Sequence, residues 1–341
     1  MKVLVLGYFG YRTNKLDGQT VKTRNIFSLL NQRIKDVDYF DTEEFKFSKK
    51  SIFTLLKKLI QCKSLIYLPA HGNLKYIFPI LFILAQIIRF RINYFIIGGW
   101  LVEYLEHKPV HRIMLKRIHN IFSETLLMKE QLYQKYSFEN VSVFPNFRLT
   151  TFKPQISNSI PPLKLVFMAR INKMKGIDTI FTLADHLKNN YNSHQIIIDF
   201  YGQINPNDKI FFESGLKQFD FINYKGSLQP NEIYSVLSQY DVMLLPTHYY
   251  TEGLPGSIID AYISGIPVIA TKWKHAHEFI TDKETGFIIP FENGENKLIQ
   301  IINFLYNNPT TLLTLKKNAS IESNKYKAEN AWEIITRLVL N

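Results

Sequence analysis

The chain has 341 residues, 46% hydrophobic and 21% charged, enough apolar material for two domains of ordinary size and too much for a disordered chain. Its one cysteine, Cys62, excludes an internal disulfide framework and fits a reducing compartment. The net charge of +12 is uneven: residues 1–160 hold 24 Lys+Arg against 11 Asp+Glu, and the remainder holds 17 against 18. The basic half is therefore the one suited to nucleic acid, an anionic membrane surface or an acidic substrate, and the membrane surface is preferred.

The opening MKVLVLGYFG predicts a strand, Val3–Leu6, running into a glycine turn. Its apolar run is too short for a signal peptide, so the chain reads as cytoplasmic. A polar loop from Tyr11 to Thr20 leads to a helix over Val21–Asn31, the βα start of a Rossmann-like half without G-x-G-x-x-G. Gly18 and Gln19 lie where a backbone can approach a phosphate. Asp36 and Asp38 precede the short strand Tyr39-Phe40 and read as a surface turn. From Lys46 to Lys63 the pattern predicts one amphipathic helix, with Phe47, Ile52, Phe53, Leu56, Leu59 and Ile60 on one face and Lys49, Lys50, Lys57 and Lys58 on the other. A face packed on the sheet and a face lying in a membrane interface are both open to it.

Ser64–Leu68 predicts a strand with Pro69-Ala70-His71-Gly72 as its exit loop. Tyr76–Ile88 is apolar, too short to span a bilayer, and reads as a buried helix, with an interfacial role second. The strand Asn93–Ile97 exits into Gly98-Gly99-Trp100, where paired glycines permit close backbone approach and an indole can stack on a sugar. A basic helix, Val110–His119, the strand Ile121-Phe122, a helix to Tyr136 and a strand Val141–Phe144 follow. Residues 148–162, with three prolines, form the linker. The expected domains are 1–155 and 160–322, with a final helix over 325–341 returning to the first.

In the second half the strand Lys164–Met168 exits into Arg170 and Lys175 ahead of Gly176 and a helix from Ile177. Two cations at a strand's carboxyl end can converge on a diphosphate, Arg as a fork and Lys as a point charge. Strands Ile196–Tyr201 and Ile222–Lys225 end at Gly202 and Gly226, and a short helix spans Glu232–Gln239. The strand Val242–Leu245 then leads through Glu252 and Gly-Leu-Pro-Gly to a helix starting near Ser257 and carrying Asp260, followed by the strand Pro267–Ala270. A helix N-terminus there favours an anion, and a carboxylate beside it can accept hydrogen bonds from hydroxyls. The expected ligand has both groups: a nucleotide sugar. Glu278, a strand ending at Pro290 and two amphipathic helices separated near Ser323–Lys327 close the chain.

The order FMARINKMKG, YKGSL, EGLPGSIIDA, GIPVIAT and HEFI followed by TGFIIP resembles glycosyltransferase family 4, also called group 1. The resemblance implies an α/β chain of GT-B type, two Rossmann-like domains facing across a cleft. It implies a transferase acting with retention at the anomeric carbon, with a nucleotide-diphosphate sugar as donor and no required metal or other cofactor. By the same resemblance Arg170 and Lys175 bind the donor diphosphate and Glu252 meets the donor sugar. Backbone N–H groups of Gly253 and Leu254 lie near the phosphates, Tyr224–Ser227 frames the base, and Asp260 replaces a ribose-binding glutamate. Gly18 with Gln19 stands where the family often has two glycines. On the acceptor side His71, Gly98, Gly99 and Trp100 are the candidates, and His107 is another possible base. The function expected is addition of a sugar to a lipid-linked saccharide in bacterial surface polysaccharide synthesis, at the inner face of the cell membrane. A soluble or protein acceptor is the alternative. A basic nucleic-acid-binding protein is the alternative of another class, and it leaves Arg170, Lys175 and Glu252 without a role.

Overall fold

The computed structural model describes residues 2–191 and 194–340. The chain forms two units, residues 1–150 with 326–341, and residues 151–325. In the first, β1 (Val3–Gly7), β2 (Val37–Asp41), β3 (Ser64–Leu68), β4 (Arg91–Phe95), β5 (Asn120–Ser123) and β6 (Val141–Val143) make a parallel sheet in the order β2-β1-β3-β4-β5-β6. The second unit holds β7 (Leu163–Met168), β8 (Ile196–Tyr201), β9 (Ile222–Tyr224), β10 (Val242–Leu245), β11 (Val268–Thr271) and β12 (Gly286–Ile289), again parallel, in the order β12-β11-β10-β7-β8-β9. Helices cover both faces of such sheets, so their central strands are apolar along their whole length, as VLVLG in β1 and VMLL in β10 are.

Each order reverses direction once, between β1 and β3 and between β7 and β10. Loops leaving the carboxyl ends of such a strand pair part to opposite faces and open a crevice. Numbered within its own unit, the second sheet runs 3-2-1-4-5-6, the dinucleotide-fold order. Here the order is shared and the G-x-G-x-x-G is not.

One face of the first sheet packs Leu55 and Leu59 with Leu74, Phe78 and Leu81. The opposite face packs Ile26 and Leu29 of the helix Gly18–Arg33 with Ala331 and Ile335 of the terminal helix Ala328–Ile335. Arg148 bridges to Lys327, so the returning chain is tied to the end of the first segment. In the second unit, Lys316 reaches Asp241 at 2.5 Å, and Asp241 also accepts from Ser159 at 2.5 Å and from the Lys164 N–H at 2.8 Å. That buried network fixes the linker to β7.

Several sequence expectations are corrected. Gly18 is the first residue of its helix rather than loop, because Asp17 and Thr20 form a reciprocal capping box. Asp38 lies within β2, paired with Lys58 at 2.7 Å, and not in a surface turn. The single helix over Lys46–Lys63 is two, Glu44–Phe47 and Ser51–Gln61. Its proposed apolar face is divided: Leu59 is buried beside Leu55, while Phe47, Ile52, Phe53 and Ile60 are exposed. His71 and Gly72 belong to the first turn of the helix His71–Ile88, which is buried on one side only. Pro309 starts a new helix, so the region before Ser323 holds two helices, Glu295–Asn307 and Pro309–Glu322. Two helices, Leu101–Leu105 and Lys209–Leu216, were not anticipated.

A buried ion pair holds the first helix to the sheet. Lys22 Nζ lies 2.6 Å from Glu124 Oε1 and 2.7 Å from the Ile96 carbonyl oxygen. Burial lowers the Lys22 pKa, and the facing Glu124 carboxylate opposes that. Removing one partner strands a charge, so Glu124→Ala should cost about 3–5 kcal/mol of stability. Thermal unfolding should show a fall of roughly 10 °C. A change under about 2 °C would mean that water or another group replaces the carboxylate.

Candidate active site

The residues predicted for the donor gather at the reversal between β7 and β10. After β7 the chain passes exposed Arg170 and enters a short 3-10 turn, Lys173–Lys175. Buried Asn172 caps that turn, its Oδ1 accepting from the Lys175 N–H at 2.8 Å. Gly176 then turns the chain with φ of +85° into the helix Ile177–Lys188. The loop after β10 is bound to this turn: the His248 N–H donates to the Met174 carbonyl at 2.9 Å and the Thr247 hydroxyl does so at 3.3 Å. Thr271, at the end of β11, donates to the Thr247 carbonyl at 2.5 Å.

This stitching brings the Lys175 ammonium into direct contact with the Glu252 carboxylate. Each side chain is about one-fifth exposed, 18% and 21%, so the pair is open to a ligand. The same ammonium sits 5.1 Å from the centre of the Tyr249 ring. Arg170 has no ion-pair partner among the described residues. Lys175, Glu252 and Arg170 together carry one net positive charge at the crevice, which suits an anion with hydroxyls nearby.

From Glu252 the loop runs through buried Gly253 and Leu254 to the helix Gly256–Ile263, one residue earlier than expected. Its N-cap is Pro255, which has no side-chain acceptor, and the dipole at that end favours an anion. Asp260 is buried one turn in, with the Tyr234 hydroxyl 3.5 Å from its Oδ1. Tyr234 stacks on Phe152, centroids 5.7 Å apart. At the neighbouring strand ends Gly202 donates to the Gly226 carbonyl at 2.9 Å, and the Tyr224 hydroxyl donates to the Gly202 carbonyl at 3.0 Å. Beneath them Tyr240 donates to Asp199 at 2.6 Å, and burial together with that carboxylate pushes the Tyr240 pKa up. Asn223 also donates to Asp199, at 2.8 Å.

Glu278 lies in the short turn after β11, its Oε1 3.4 Å from His275 Nδ1. On the side of the helix Ile177–Lys188, a cavity of about 340 Å³ is lined by His248, Thr271, Glu292 and Glu295 among others. None of the predicted site residues lines it.

In the first unit the acceptor-side candidates also meet. His71 opens its helix after β3 and its ring lies 4.9 Å from Trp100. Gly98, with φ of +78°, lets the chain turn so that the indole covers it, and Gly99 separates the two. Tyr104 completes the cluster, 4.8 Å from His71 and 5.5 Å from Trp100. Its hydroxyl is buried without a hydrogen-bond partner among the described residues, as is the hydroxyl of Tyr94. His107 is exposed beyond this cluster. Gln19 sits in the first helical turn, its side-chain amide nitrogen buried and without a partner among the described residues.

The profile of the family described as glycosyl transferases group 1 matches residues 151–327, just over half of the chain and all of the unit that carries Lys175 and Glu252. The chain belongs to that family. Among curated relatives, the group 1 chain is 28% identical over 174 residues to an uncharacterised 41.2 kDa protein in the cps region of Klebsiella pneumoniae, covering 50% of this chain and 44% of that one. It is 25% identical over 157 residues to the putative colanic acid biosynthesis glycosyltransferase WcaL of Escherichia coli K12, covering 45% and 38%. The chain thus spans less than half the length of these relatives.

Solved structures match the whole group 1 chain. HepE of Anabaena, in complex with UDP, superposes with a TM-score of 0.77 at 15% identity over 99% of both chains. Sucrose-phosphate synthase of Thermosynechococcus elongatus gives 0.75 at 15% identity, over 99% of this chain and 98% of that one. The architecture is GT-B, as the sequence resemblance implied. Sequence reasoning missed Asn172, Tyr234 and Tyr104. Asn172 had a usable signal, an Asn placed to cap the turn that carries Lys175. The two tyrosines sit on short helices and reach their partners only through tertiary packing.

Proposed function

We propose that this group 1 chain transfers a sugar from a nucleotide-diphosphate donor to a saccharide acceptor in the synthesis of a bacterial surface polysaccharide. The observation that carries the reading is the contact between Lys175 and Glu252 at the β7/β10 reversal, with Arg170, which has no ion-pair partner among the described residues, in the loop that follows β7. A diphosphate competes with Glu252 for the Lys175 ammonium, and the released carboxylate is then able to accept hydrogen bonds from the donor sugar. Lys175, Arg170 and the positive end of the helix Gly256–Ile263 stabilise the leaving diphosphate as its negative charge develops. Buried Asp260, oriented by Tyr234, takes the nucleoside ribose. Gly202, Gly226 and Tyr224 frame the base, and the backbone at Gly253 and Leu254 faces the phosphates.

Two observations on relatives support the reading: the WcaL name places that protein in colanic acid biosynthesis, and HepE was solved with UDP. The finer assignment, family 4 with retention and no required metal, rests on the order of the sequence motifs. The acceptor is proposed to be lipid-linked and held by His71, Trp100 and Tyr104, with the chain acting at the inner membrane face.

Thermal unfolding in the presence of single nucleoside diphosphates tests the donor site. Saturation at about a hundred times Kd should stabilise by about 2.7 kcal/mol, a rise of roughly 5–10 °C, for the preferred base. A panel in which no nucleoside diphosphate or nucleotide sugar moves the transition would remove the reading.

A further inference from the structure

The first unit carries an apolar surface that its own core does not use. The helix His71–Ile88 has two opposite stripes. Leu74, Phe78, Leu81 and Ala85 face the sheet and are buried. Tyr76, Ile80, Ile83 and Ile87 recur two residues out of step with them and are between 59% and 71% exposed. At about 100° per residue these four point within roughly 60° of one another, directly away from the buried stripe. A domain helix facing water normally carries charged residues there.

The helix Ser51–Gln61 repeats the arrangement. Its Leu55 and Leu59 enter the same core as Leu74 and Phe78, so both helices cover one face of the sheet. Ile52, Phe53 and Ile60 are exposed, Phe53 by 70%. The helix Pro109–Arg117, whose His111 meets the Leu74 carbonyl at 3.2 Å, adds exposed Val110 and Ile113.

The charge is concentrated in the same stretch. From Lys46 to Arg117 there are 13 Lys+Arg and two carboxylates, Glu103 and Glu106, a net +11 out of the chain's +12. Lys49, Lys50 and Lys57 flank the exposed residues of one helix, and Arg89 and Arg91 follow the end of the other.

We propose that these helices form a face that lies on an anionic lipid bilayer, with the helix His71–Ile88 in the plane of the interface and its outer isoleucines below the headgroups. Apolar side chains enter the acyl boundary while the surrounding cations meet lipid phosphates. The helix lies along the membrane and does not cross it. Its 18 residues reach about 27 Å against a hydrocarbon core of about 30 Å, and its inner stripe is committed to the sheet. A second copy is disfavoured as the occupant, because pairing this face with itself sets two basic surfaces against each other. Nucleic acid matches the cations and leaves the isoleucines unexplained. The proposal deepens the membrane part of the reading above and is independent of the transferase chemistry.

Co-sedimentation of the full chain with vesicles of 30% phosphatidylglycerol in phosphatidylcholine tests it, with pure phosphatidylcholine as the comparison. The chain should bind the anionic vesicles. The double variant Ile83→Glu/Ile87→Glu should lose at least tenfold in partitioning with an unchanged thermal transition, and Lys49→Ser/Lys50→Ser/Lys57→Ser should lose a similar factor. Should the glutamate variant fail to fold, Ile83→Cys bearing an environment-sensitive fluorophore gives the second readout: emission shifts to the blue on anionic vesicles, while the same label at Glu130→Cys does not shift.

Absence of vesicle binding, binding indifferent to the isoleucines, or a dimer by sedimentation velocity that the glutamates dissolve would each overturn the proposal. Vesicle binding without any nucleoside-diphosphate shift leaves it standing and sinks the transferase reading. A diphosphate shift without vesicle binding does the reverse.

Discussion

Lys175→Met should lower kcat/KM by about a hundred- to a thousandfold, the range for removing one preorganised group that meets developing charge. In the free protein the Lys175 ammonium is already bound by Glu252. An incoming diphosphate exchanges one anionic partner of the lysine for another, so the methionine variant should lose affinity for the bare nucleoside diphosphate as well as turnover. Glu252→Gln separates the two effects. It removes the competing carboxylate, so the nucleoside diphosphate alone should bind as well as before or better, while transfer falls because the sugar hydroxyls lose a charged acceptor. Calorimetric titration of both variants, with turnover measured beside it, reads out the difference. Equal losses of diphosphate binding in the two variants would show that the pair acts as a structural unit and that the exchange does not occur. Both side chains are partly exposed, so either change should leave stability within about 1 kcal/mol.

The donor-site residues are legible in the sequence because their determinants are local. Arg170, Lys175, Glu252 and Asp260 each stand at a fixed distance from a strand end, and alternation of apolar runs with Gly-rich exits locates those ends. What joins Lys175 to Glu252 is the strand order, which makes β7 and β10 neighbours across 73 intervening residues. No spacing encodes that, and only the resemblance to group 1 anticipated it. Burial was the least legible property. Periodicity found the amphipathic helix near Lys46–Lys63 but placed Ile52, Phe53 and Ile60 with Leu59, since a wide apolar arc does not say which part of it meets the sheet. The helix His71–Ile88 is apolar on every side, and nothing in such a pattern distinguishes a core face from a face left outside. Tyr104 and Tyr234 were missed for a related reason: a tyrosine in a short helix acquires a role only from what tertiary packing sets beside it.

Gly176→Ala should be more damaging than its size suggests, at about 3–5 kcal/mol of stability. Part of the cost is local, because φ of +85° places the residue where a side chain meets its own backbone, worth about 1–2 kcal/mol. The larger part is contact. A Cβ on Gly176 would lie 1.9 Å from the Pro246 carbonyl oxygen, a backbone atom that moves only if the loop after β10 moves. Gly226 is the matched control: its φ of +80° carries the same local strain, and a Cβ there meets nothing within 4 Å. Gly226→Ala should therefore cost only the local part. The contrast extends to activity. Pro246 leads into the loop that ends at Glu252, and Lys175 precedes Gly176, so the alanine pushes apart the two strand ends that hold the ion pair. A displacement of about 1 Å at such a site can cost on the order of a hundredfold in rate. Denaturant titration and kcat/KM for the two variants decide the matter. Equal stability losses would mean that the β7 and β10 loops yield together, and the close approach at Gly176 would then have no part in positioning Lys175 against Glu252.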